Sequence, residues 1–138
     1  MLMALQLSAF FSKGRDMNIL SVGIGGFLGA VSRYLLGKVP MHMVEGFPMN
    51  TFVTNIMGAI VIGVVFAATA KLGGSDSNMV LFLKTGFCGG LTTFSTFSLE
   101  GMQLIQDGHI GMFAAYAVLS VGICIIACIA GTAIGNAI

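Results

Sequence analysis

Charged side chains are scarce in this sequence. Lys, Arg, Asp and Glu together make up 8% of its 138 residues, whereas hydrophobic residues make up 57%. A soluble domain averages about 25% charged residues, so the composition predicts an integral membrane protein. The net charge of +1 leaves no basic surface with which the protein would bind nucleic acid.

Sequence signatures of disulfide frameworks, dinucleotide binding and catalysis are also missing. The cysteines, Cys88, Cys124 and Cys128, are odd in number and lie in apolar runs, which argues against a disulfide framework and favours buried packing. The glycine-rich stretch 23–29 lacks the last glycine of a dinucleotide-binding pattern, because Leu28 stands there. No cluster of acids, histidines and nucleophiles indicates catalysis. We therefore expect neither an enzyme nor a nucleotide-binding protein.

Long apolar segments dominate the rest of the chain. A helix needs about 20 mostly apolar residues to cross a bilayer. Four segments meet this condition, at about 19–36, 51–70, 79–99 and 110–133. Short polar connections separate them, including one predicted over 101–109. The sequence therefore predicts an all-α domain over 17–138 with four transmembrane helices.

Residues 1–16 do not fit this plan. Their apolar part is too short to cross a membrane, and they lack the basic start of a signal peptide. Met17 opens a more natural beginning. We expect 1–16 to be an N-terminal extension that is disordered or lies at the membrane interface, outside the core.

Basic residues do not favour one orientation in the membrane. Cytoplasmic loops normally carry an excess of Lys and Arg. From Met17 onward, Lys71 and Lys84 on one side are balanced by Arg33 and Lys38 on the other. A protein without this bias can insert both ways and pair as an antiparallel dimer.

Three glycine pairs have the GxxxG spacing that lets helix backbones approach closely in lipid. They are Gly25 and Gly29, Gly86 and Gly90, and Gly131 and Gly135. We interpret them as support for an oligomer, because four short spans have little interior in which to build a pore.

The stretch 86–101, GFCGGLTTFSTFSLEG, places helix breakers and hydroxyls inside the third span. Gly89 and Gly90, followed by Thr92 and Thr93, predict a break near the middle of that helix. Backbone groups freed at membrane depth must face protein, water or an ion. Free carbonyl oxygens would suit a cation such as Na⁺. A simple kink satisfied by threonine hydroxyls is the alternative.

Aromatic and polar residues within the spans are candidates for an ion path. Phe94 and Phe97 share a helix face beside hydroxyls such as that of Thr96, and electropositive ring edges can meet a small anion. Packing is the commoner reason for such a pair. Asn55, one turn after Thr51, offers amide donors to an anion, or joins two helices.

Further candidates lie in the last span and at the ends of two others. Tyr116, Ser120 and Cys124 recur every four residues and mark one face of the last span. Arg33 ends the first span, where it either extends to the interface or forms an electropositive mouth. Glu100 ends the third span, where we expect it to pair with a basic residue.

These motifs together resemble the Fluc (CrcB) family of bacterial fluoride channels. The stretch 86–100 closely matches the signature of that family, and GGFLGAVSRY (25–34) and FPMNTFVTNIMGA (47–59) match its first two helices. The resemblance covers nearly the whole chain from Met17. It implies an antiparallel, dual-topology homodimer in the bacterial cytoplasmic (inner) membrane, with two pores that export fluoride passively and protect against its toxicity.

The resemblance also implies roles for individual residues. A structural Na⁺ at the dimer interface would be held by backbone carbonyls of Gly89 and Thr92, and Arg33 would lie at the vestibule. Cys124 stands where the family often has a hydroxyl. The fluoride path would be lined by Asn55, Phe94, Phe97, Thr51, Thr96, Tyr116 and Ser120.

Two other classes of membrane protein compete with a channel. Small proton-coupled multidrug exporters are also four-span, dual-topology dimers, but they need a buried carboxylate in the first span, and 19–36 contains no Asp or Glu. A non-transporting subunit or assembly factor would not need a broken helix with aligned polar groups. A stable, inert heteromer on purification would favour that last class.

Overall fold

The computed structural model describes residues 13–41, 46–71 and 77–138 of the chain. These ranges are helical and contain no strand. Three of the helices are long and apolar enough to cross a membrane, over Asp16–Leu36, Met49–Lys71 and Ile110–Ala137. The protein is therefore an all-helical integral membrane protein. In chain order the helices are α1 (Lys13–Leu36), α2 (Met49–Lys71), α3 (Asn78–Val80, then a π-helical Leu81–Cys88, then Gly89–Leu91), α4 (Phe94–Gln106) and α5 (Ile110–Ala137).

The N-terminal extension predicted over 1–16 falls mostly outside the described residues, which begin at 13. Helix α1 starts at Lys13 and runs without interruption through Met17. The last residues of the predicted extension therefore continue the first helix. The domain boundary at Met17 stays a prediction.

Between α3 and α4, the backbone leaves the helical conformation for two residues. Thr92 (φ −79°, ψ 156°) and Thr93 (φ −150°, ψ 117°) are both extended. The side chain of Thr93 then caps α4, because its hydroxyl oxygen accepts the N–H of Thr96 at 3.2 Å. The interruption follows the glycine pair Gly89 and Gly90 by one helical residue, Leu91.

Helix α4 is longer than the apolar pattern predicts. The expected polar connection over 101–109 is wrong, because 101–106 continues the helix and only 107–109 connects it to α5. Gly101 and Leu104 are buried, and Gly101 faces the ring of Phe113 on α5. This packing extends the helix beyond the apolar run. Gly108 makes the turn with a φ of 80°, which favours glycine.

The glycine pairs bring helices together within one chain. A Cβ added at Gly29 would collide with the backbone of Phe87 and Leu91, and one at Gly86 would lie 2.7 Å from the carbonyl oxygen of Val22. Close contacts of the same kind join Gly131 and Gly135 of α5 to α2. The glycines thus pack α1 on α3 and α2 on α5. Our interpretation of the three pairs as support for an oligomer is wrong, because each pair is used inside the protomer.

A side chain ties the start of α2 to the end of α1. The amide nitrogen of Asn50 lies 3.2 Å from the carbonyl oxygen of Leu36 and 3.0 Å from those of Gly37 and Val39. The last carbonyls of a helix have no partner within it. Asn50 supplies that partner to Leu36 and joins the two helices at this end.

The contact between α1 and α3 can be tested with an added methyl group. We expect Gly29→Ala to destabilise the fold by about 1–3 kcal/mol, because the methyl group meets backbone atoms that cannot rotate away. Gly23→Ala on the same helix is the matched control, since nothing lies within 4 Å of its added Cβ. Denaturant titration of the purified protein in detergent measures both variants. Equal unfolding midpoints for the two would contradict the assigned packing.

Candidate functional site

The site begins at the interruption between α3 and α4, where the side chain of Asn55 pairs with the backbone of Thr93. The Asn55 side-chain oxygen accepts the N–H of Thr93 at 2.8 Å, and its amide nitrogen donates to the carbonyl oxygen of Thr93 at 3.3 Å. Buried backbone groups need such partners. The amide of Asn55 therefore replaces the hydrogen bonds that a continuous helix would have supplied.

The interruption removes the helical partners of several backbone carbonyl groups, among them those of Gly89 and Thr92. In a regular α-helix, a carbonyl accepts the N–H four residues later. The N–H of Thr93 would serve the carbonyl of Gly89, but it donates to Asn55; the N–H of Thr96 would serve that of Thr92, but it donates to the hydroxyl of Thr93. The carbonyls of Gly89 and Thr92 are thus free to act as oxygen ligands for a cation.

A cavity of about 600 Å³ opens at the interruption, and we name it the first cavity. It runs along α2, α3, the start of α4 and the middle of α5. Among the described residues that line it, Lys84 is the only charged one. The predicted site residues that line it are Asn55, Gly89, Thr92, Phe94, Phe97 and Ser120, together with Cys124.

The phenyl rings of Phe94 and Phe97 lie side by side in this cavity, as their spacing predicts. Their ring centroids are 5.5 Å apart with an interplanar angle of 32°. Phe97 also packs on the ring of Tyr116, with the two centroids 4.8 Å apart, so the ring of Phe97 is held by a contact with α5. Phe94, in contrast, is 79% exposed within the protomer.

One polar group in the wall of the first cavity lacks a partner. The hydroxyl oxygen of Ser120 is buried and has no hydrogen bond within the part of the chain that the structure describes. Buried hydroxyls are nearly always paired with protein or water. Ser120 therefore places a hydroxyl without a partner among the described residues in the wall of the first cavity.

A second cavity, of about 430 Å³, lies on the other side of Thr93. We name it the second cavity. Thr93 lines both cavities, so the two adjoin at the interruption. The predicted residues that line the second cavity are Arg33, Thr51 and Thr96, and Glu100 joins them.

Glu100 connects three of the helices. Its carboxylate accepts the hydroxyl of Thr51 at 2.7 Å and the hydroxyl of Tyr116 at 2.8 Å. Among the described residues, these hydroxyls take the place of the basic partner that the sequence led us to expect. Analysis of the sequence missed this role. A signal existed, because Glu100 follows Thr96 and Phe97 by four and three residues and so shares their helix face.

The predicted site residues are therefore brought together around one interruption in the chain, but in two groups. Asn55, the phenylalanines and Ser120 surround the first cavity, whereas Arg33 and two threonines surround the second. Tyr116 lies fully buried between the helices and joins neither wall. The functional role of each residue stays a prediction.

Comparison with known proteins gives a consistent result. Residues 20–132 match the sequence profile of the family described as "CrcB-like protein, Camphor Resistance (CrcB)". A relative from Clostridium novyi (strain NT) is 44% identical over 116 residues, which are 83% of this chain and 91% of the relative. One from Agrobacterium fabrum (strain C58 / ATCC 33970) is 40% identical over 121 residues, which are 87% of this chain and 97% of the relative.

A third relative, from Paraburkholderia xenovorans (strain LB400), is 42% identical over 116 residues, 84% of this chain and 92% of its own. All three relatives carry the name "Fluoride-specific ion channel FluC". The family profile spans most of the chain, and each relative matches over nearly its whole length. The chain belongs to the CrcB family.

Proposed function

We propose that this protein is a fluoride-selective channel of the bacterial inner membrane that exports fluoride passively and so protects the cell from its toxicity. The observation that carries the proposal is the wall of the first cavity, where an unpaired hydroxyl, an amide and two phenyl rings adjoin and none of the described lining residues is acidic. The names of the relatives point to the same ion. The fluoride gradient and the membrane potential supply the driving force.

The groups in the first cavity can replace the water around a small anion. Asn55 has two amide hydrogens, and one donates to Thr93, so the other remains for an anion. The hydroxyl of Ser120 is a second donor, and the edges of Phe94 and Phe97 carry positive partial charge. A pore must hold an ion well enough to admit it and weakly enough to release it. Neutral donors meet both conditions.

The second cavity fits the role of a vestibule. Arg33 supplies a positive charge that attracts anions from solution. The hydroxyls of Thr51 and Thr96 line the same space, and Thr93 separates it from the phenyl rings. An anion that enters beside Arg33 would therefore pass hydroxyl donors before it reaches the first cavity.

The proposed working form is an antiparallel, dual-topology homodimer of four-span subunits, with α3 and α4 together forming a broken third span. The first cavity supports the dimer, because a cavity with the amide of Asn55 in its wall would be costly to leave open to lipid. Phe94 is largely exposed, and Gly89 has open space around it. A second copy would cover both. The balance of basic residues permits opposite insertion of the two copies.

The freed carbonyls support a structural Na⁺ at the interface of this dimer. The carbonyls of Gly89 and Thr92 are hard oxygen ligands, and their helical donors are diverted to side chains. Na⁺ would offset the partial negative charges of these carbonyls, while the side chains of Asn55 and Thr93 hydrogen-bond to the interrupted backbone. Replacing Na⁺ by N-methylglucamine in all buffers should lower fluoride efflux, and unaltered efflux would remove this role.

The test of function is passive efflux from liposomes that contain the purified protein. We expect fast release of fluoride, read with a fluoride electrode, and no release of chloride above that of protein-free liposomes. The cavity offers few donors, and chloride, which is larger than fluoride, would gain less from a hydrogen bond to each of them. If a folded dimer in Na⁺ buffer releases neither fluoride nor chloride, the channel function is rejected and a non-transporting subunit is favoured.

Replacement of a phenyl ring tests its role in the path. Phe94→Ile or Phe97→Ile should slow fluoride efflux about tenfold, because a ring-edge contact of about 1.4 kcal/mol is lost at the point of passage. Phe27→Ile is the matched control, since Phe27 is 67% exposed on α1 and lines neither cavity. Efflux that is equal in all three variants would exclude the rings from the path.

The amide of Asn55 can be exchanged for a carboxylate of nearly the same shape. Asn55→Asp retains an oxygen that accepts the N–H of Thr93, but it loses the donor to the carbonyl of Thr93 and places a negative charge in the first cavity. Repulsion between two like charges about 4 Å apart is worth about 4 kcal/mol near a protein surface. A barrier raised by even about 2.7 kcal/mol slows a rate about a hundredfold, so fluoride efflux should fall at least about a hundredfold. Asn136→Asp, at the exposed end of α5, is the control. Full efflux from Asn55→Asp would place Asn55 outside the path.

Gly89 permits a test of the dimer that spares the fold of the protomer. A Cβ added there meets nothing within 4 Å, so Gly89→Leu should fold normally yet obstruct a second copy. We expect the mass in detergent, measured by light scattering after size exclusion, to shift from two chains toward one. Gly23→Leu, whose added Cβ is equally free, should remain dimeric. A dimeric Gly89→Leu would place the interface elsewhere.

A further inference from the structure

Helix α2 contacts both residues of the interruption between α3 and α4. Asn55 hydrogen-bonds to the backbone of Thr93, and Gly58 meets the side chain of Thr92. Residues three apart share a face of an α-helix, so one face of α2 presents an amide and a glycine to two consecutive residues. Thr93 is thus held by hydrogen bonds, whereas Thr92 is held by a close steric fit.

The methyl group of Thr92 lies where Gly58 has no side chain. A Cβ added at Gly58 would collide with Cγ2 of Thr92, while the next nearest atoms, Cβ of Thr92 and Cδ2 of Leu91, are 3.7 and 3.9 Å away. The close contact at Gly58 is therefore with a single methyl group. Gly63 of the same helix differs, because an added Cβ there would collide with backbone atoms of Cys128 on α5.

Hydrogen bonds prevent the side chain of Thr92 from moving away freely. Its hydroxyl donates to the carbonyl oxygen of Cys88 at 2.9 Å, and its N–H donates to the same oxygen at 3.0 Å. A β-branched side chain has few favourable χ1 angles. To avoid a methyl group added at Gly58, Thr92 would have to rotate and lose its hydroxyl bond, or shift together with its carbonyl.

The carbonyl of Thr92 is one of the two that we propose as ligands of Na⁺. Its usual helical donor, the N–H of Thr96, binds the hydroxyl of Thr93 instead. The position of this carbonyl therefore depends on how the rest of Thr92 is held. Residues that orient the ligands of a metal without touching it change the affinity for the metal about 10–100-fold when they are replaced.

We propose that Gly58 is a positioning residue for the cation site. It receives the methyl group of Thr92, fixes the backbone there, and so places the carbonyl that would bind Na⁺. The inference rests on the proposed function, from which it takes the Na⁺ site. Gly58 does not touch the ion and acts only through Thr92. The two residues must match in shape, so a change at one can be compensated by a change at the other.

The experiment measures how Na⁺ raises the thermal unfolding midpoint, Tm, of the full-length protein in detergent. N-methylglucamine replaces Na⁺ at constant total salt. A ligand that binds only the folded form raises Tm with its concentration, and this dependence gives its Kd. Gly58→Ala should raise the Kd for Na⁺ about tenfold or more, because the added methyl group displaces Thr92. Thr92→Ser keeps the hydroxyl but removes the methyl group, and should also raise the Kd.

The double variant, Gly58→Ala with Thr92→Ser, tests the match between the two residues. The alanine methyl group fills the space that the threonine methyl group leaves, so the Kd should return toward that of the parent protein. This comparison with Thr92→Ser alone remains possible if Gly58→Ala by itself does not fold. A double variant that binds Na⁺ no more tightly than Thr92→Ser would overturn the proposal.

Gly63→Ala is the matched control on the same helix. Its added Cβ collides with the backbone of Cys128, far from Thr92 in the contacts of α2, so Tm without Na⁺ should fall while the Kd for Na⁺ stays unchanged. If Gly63→Ala raises the Kd as much as Gly58→Ala does, the effect is general destabilisation and the positioning role is rejected.

Fluoride efflux from liposomes separates this proposal from the proposed function. If Na⁺ raises the Tm of the parent protein but the protein conducts no fluoride, the function fails, and the Kd values still decide the role of Gly58. If Na⁺ does not raise the Tm of the parent protein, the role of Gly58 is overturned, while efflux still decides the function.

Discussion

A backbone that leaves the helical conformation within a membrane must still pair its N–H and C=O groups, and here a single amide side chain does so. Asn55 accepts from the N–H of Thr93 and donates to its carbonyl. Everything at the site follows from these two bonds. They hold α2 against the interruption, they release the carbonyl of Gly89, and they hold Thr93 so that its hydroxyl can start α4. The phenyl rings of Phe94 and Phe97 then occupy the first two turns of that helix, beside the amide that organises them.

Close helix contacts make the interruption rigid and leave a definite surface uncovered. Glycines place α1 directly on α3, and α5 directly on α2, with backbone atoms of the two helices in close contact. The three GxxxG pairs are all in contact with helices of the same chain, which removes those pairs as candidates for contact between copies. What remains uncovered lies at the interruption itself: Gly89 with open space, and Phe94 with most of its ring exposed. Polar groups at membrane depth are costly to leave against lipid. A polar cavity that is open in this way therefore gains more from a covering partner than a closed helix bundle would.

Sequence patterns predicted those parts of the fold that depend on neighbouring residues. Three of the four predicted spans, the interruption after Gly89 and Gly90, and the shared face of Phe94 and Phe97 follow from apolar runs, helix breakers and helical spacing. The choice of partner across space could not be predicted from one sequence. The glycine pairs indicated close packing but not which helix they meet, and Glu100 indicated a charge but not that two hydroxyls would bind it. The length of α4 was missed because packing on Phe113 extends it past the apolar run.

The arrangement of charge explains how such a site can admit an anion without trapping it. Positive charge comes from Arg33 and Lys38 in the second cavity and from Lys84 in the wall of the first. The other described groups that line the two cavities are neutral, except for the carboxylate of Glu100, which the hydroxyls of Thr51 and Tyr116 already bind. A full positive charge at the narrowest point would hold fluoride too long, whereas dipoles spread over several sites bind it weakly at each. Attraction of the anion by these positive charges, together with weak binding by the neutral donors, favours its passage over its retention.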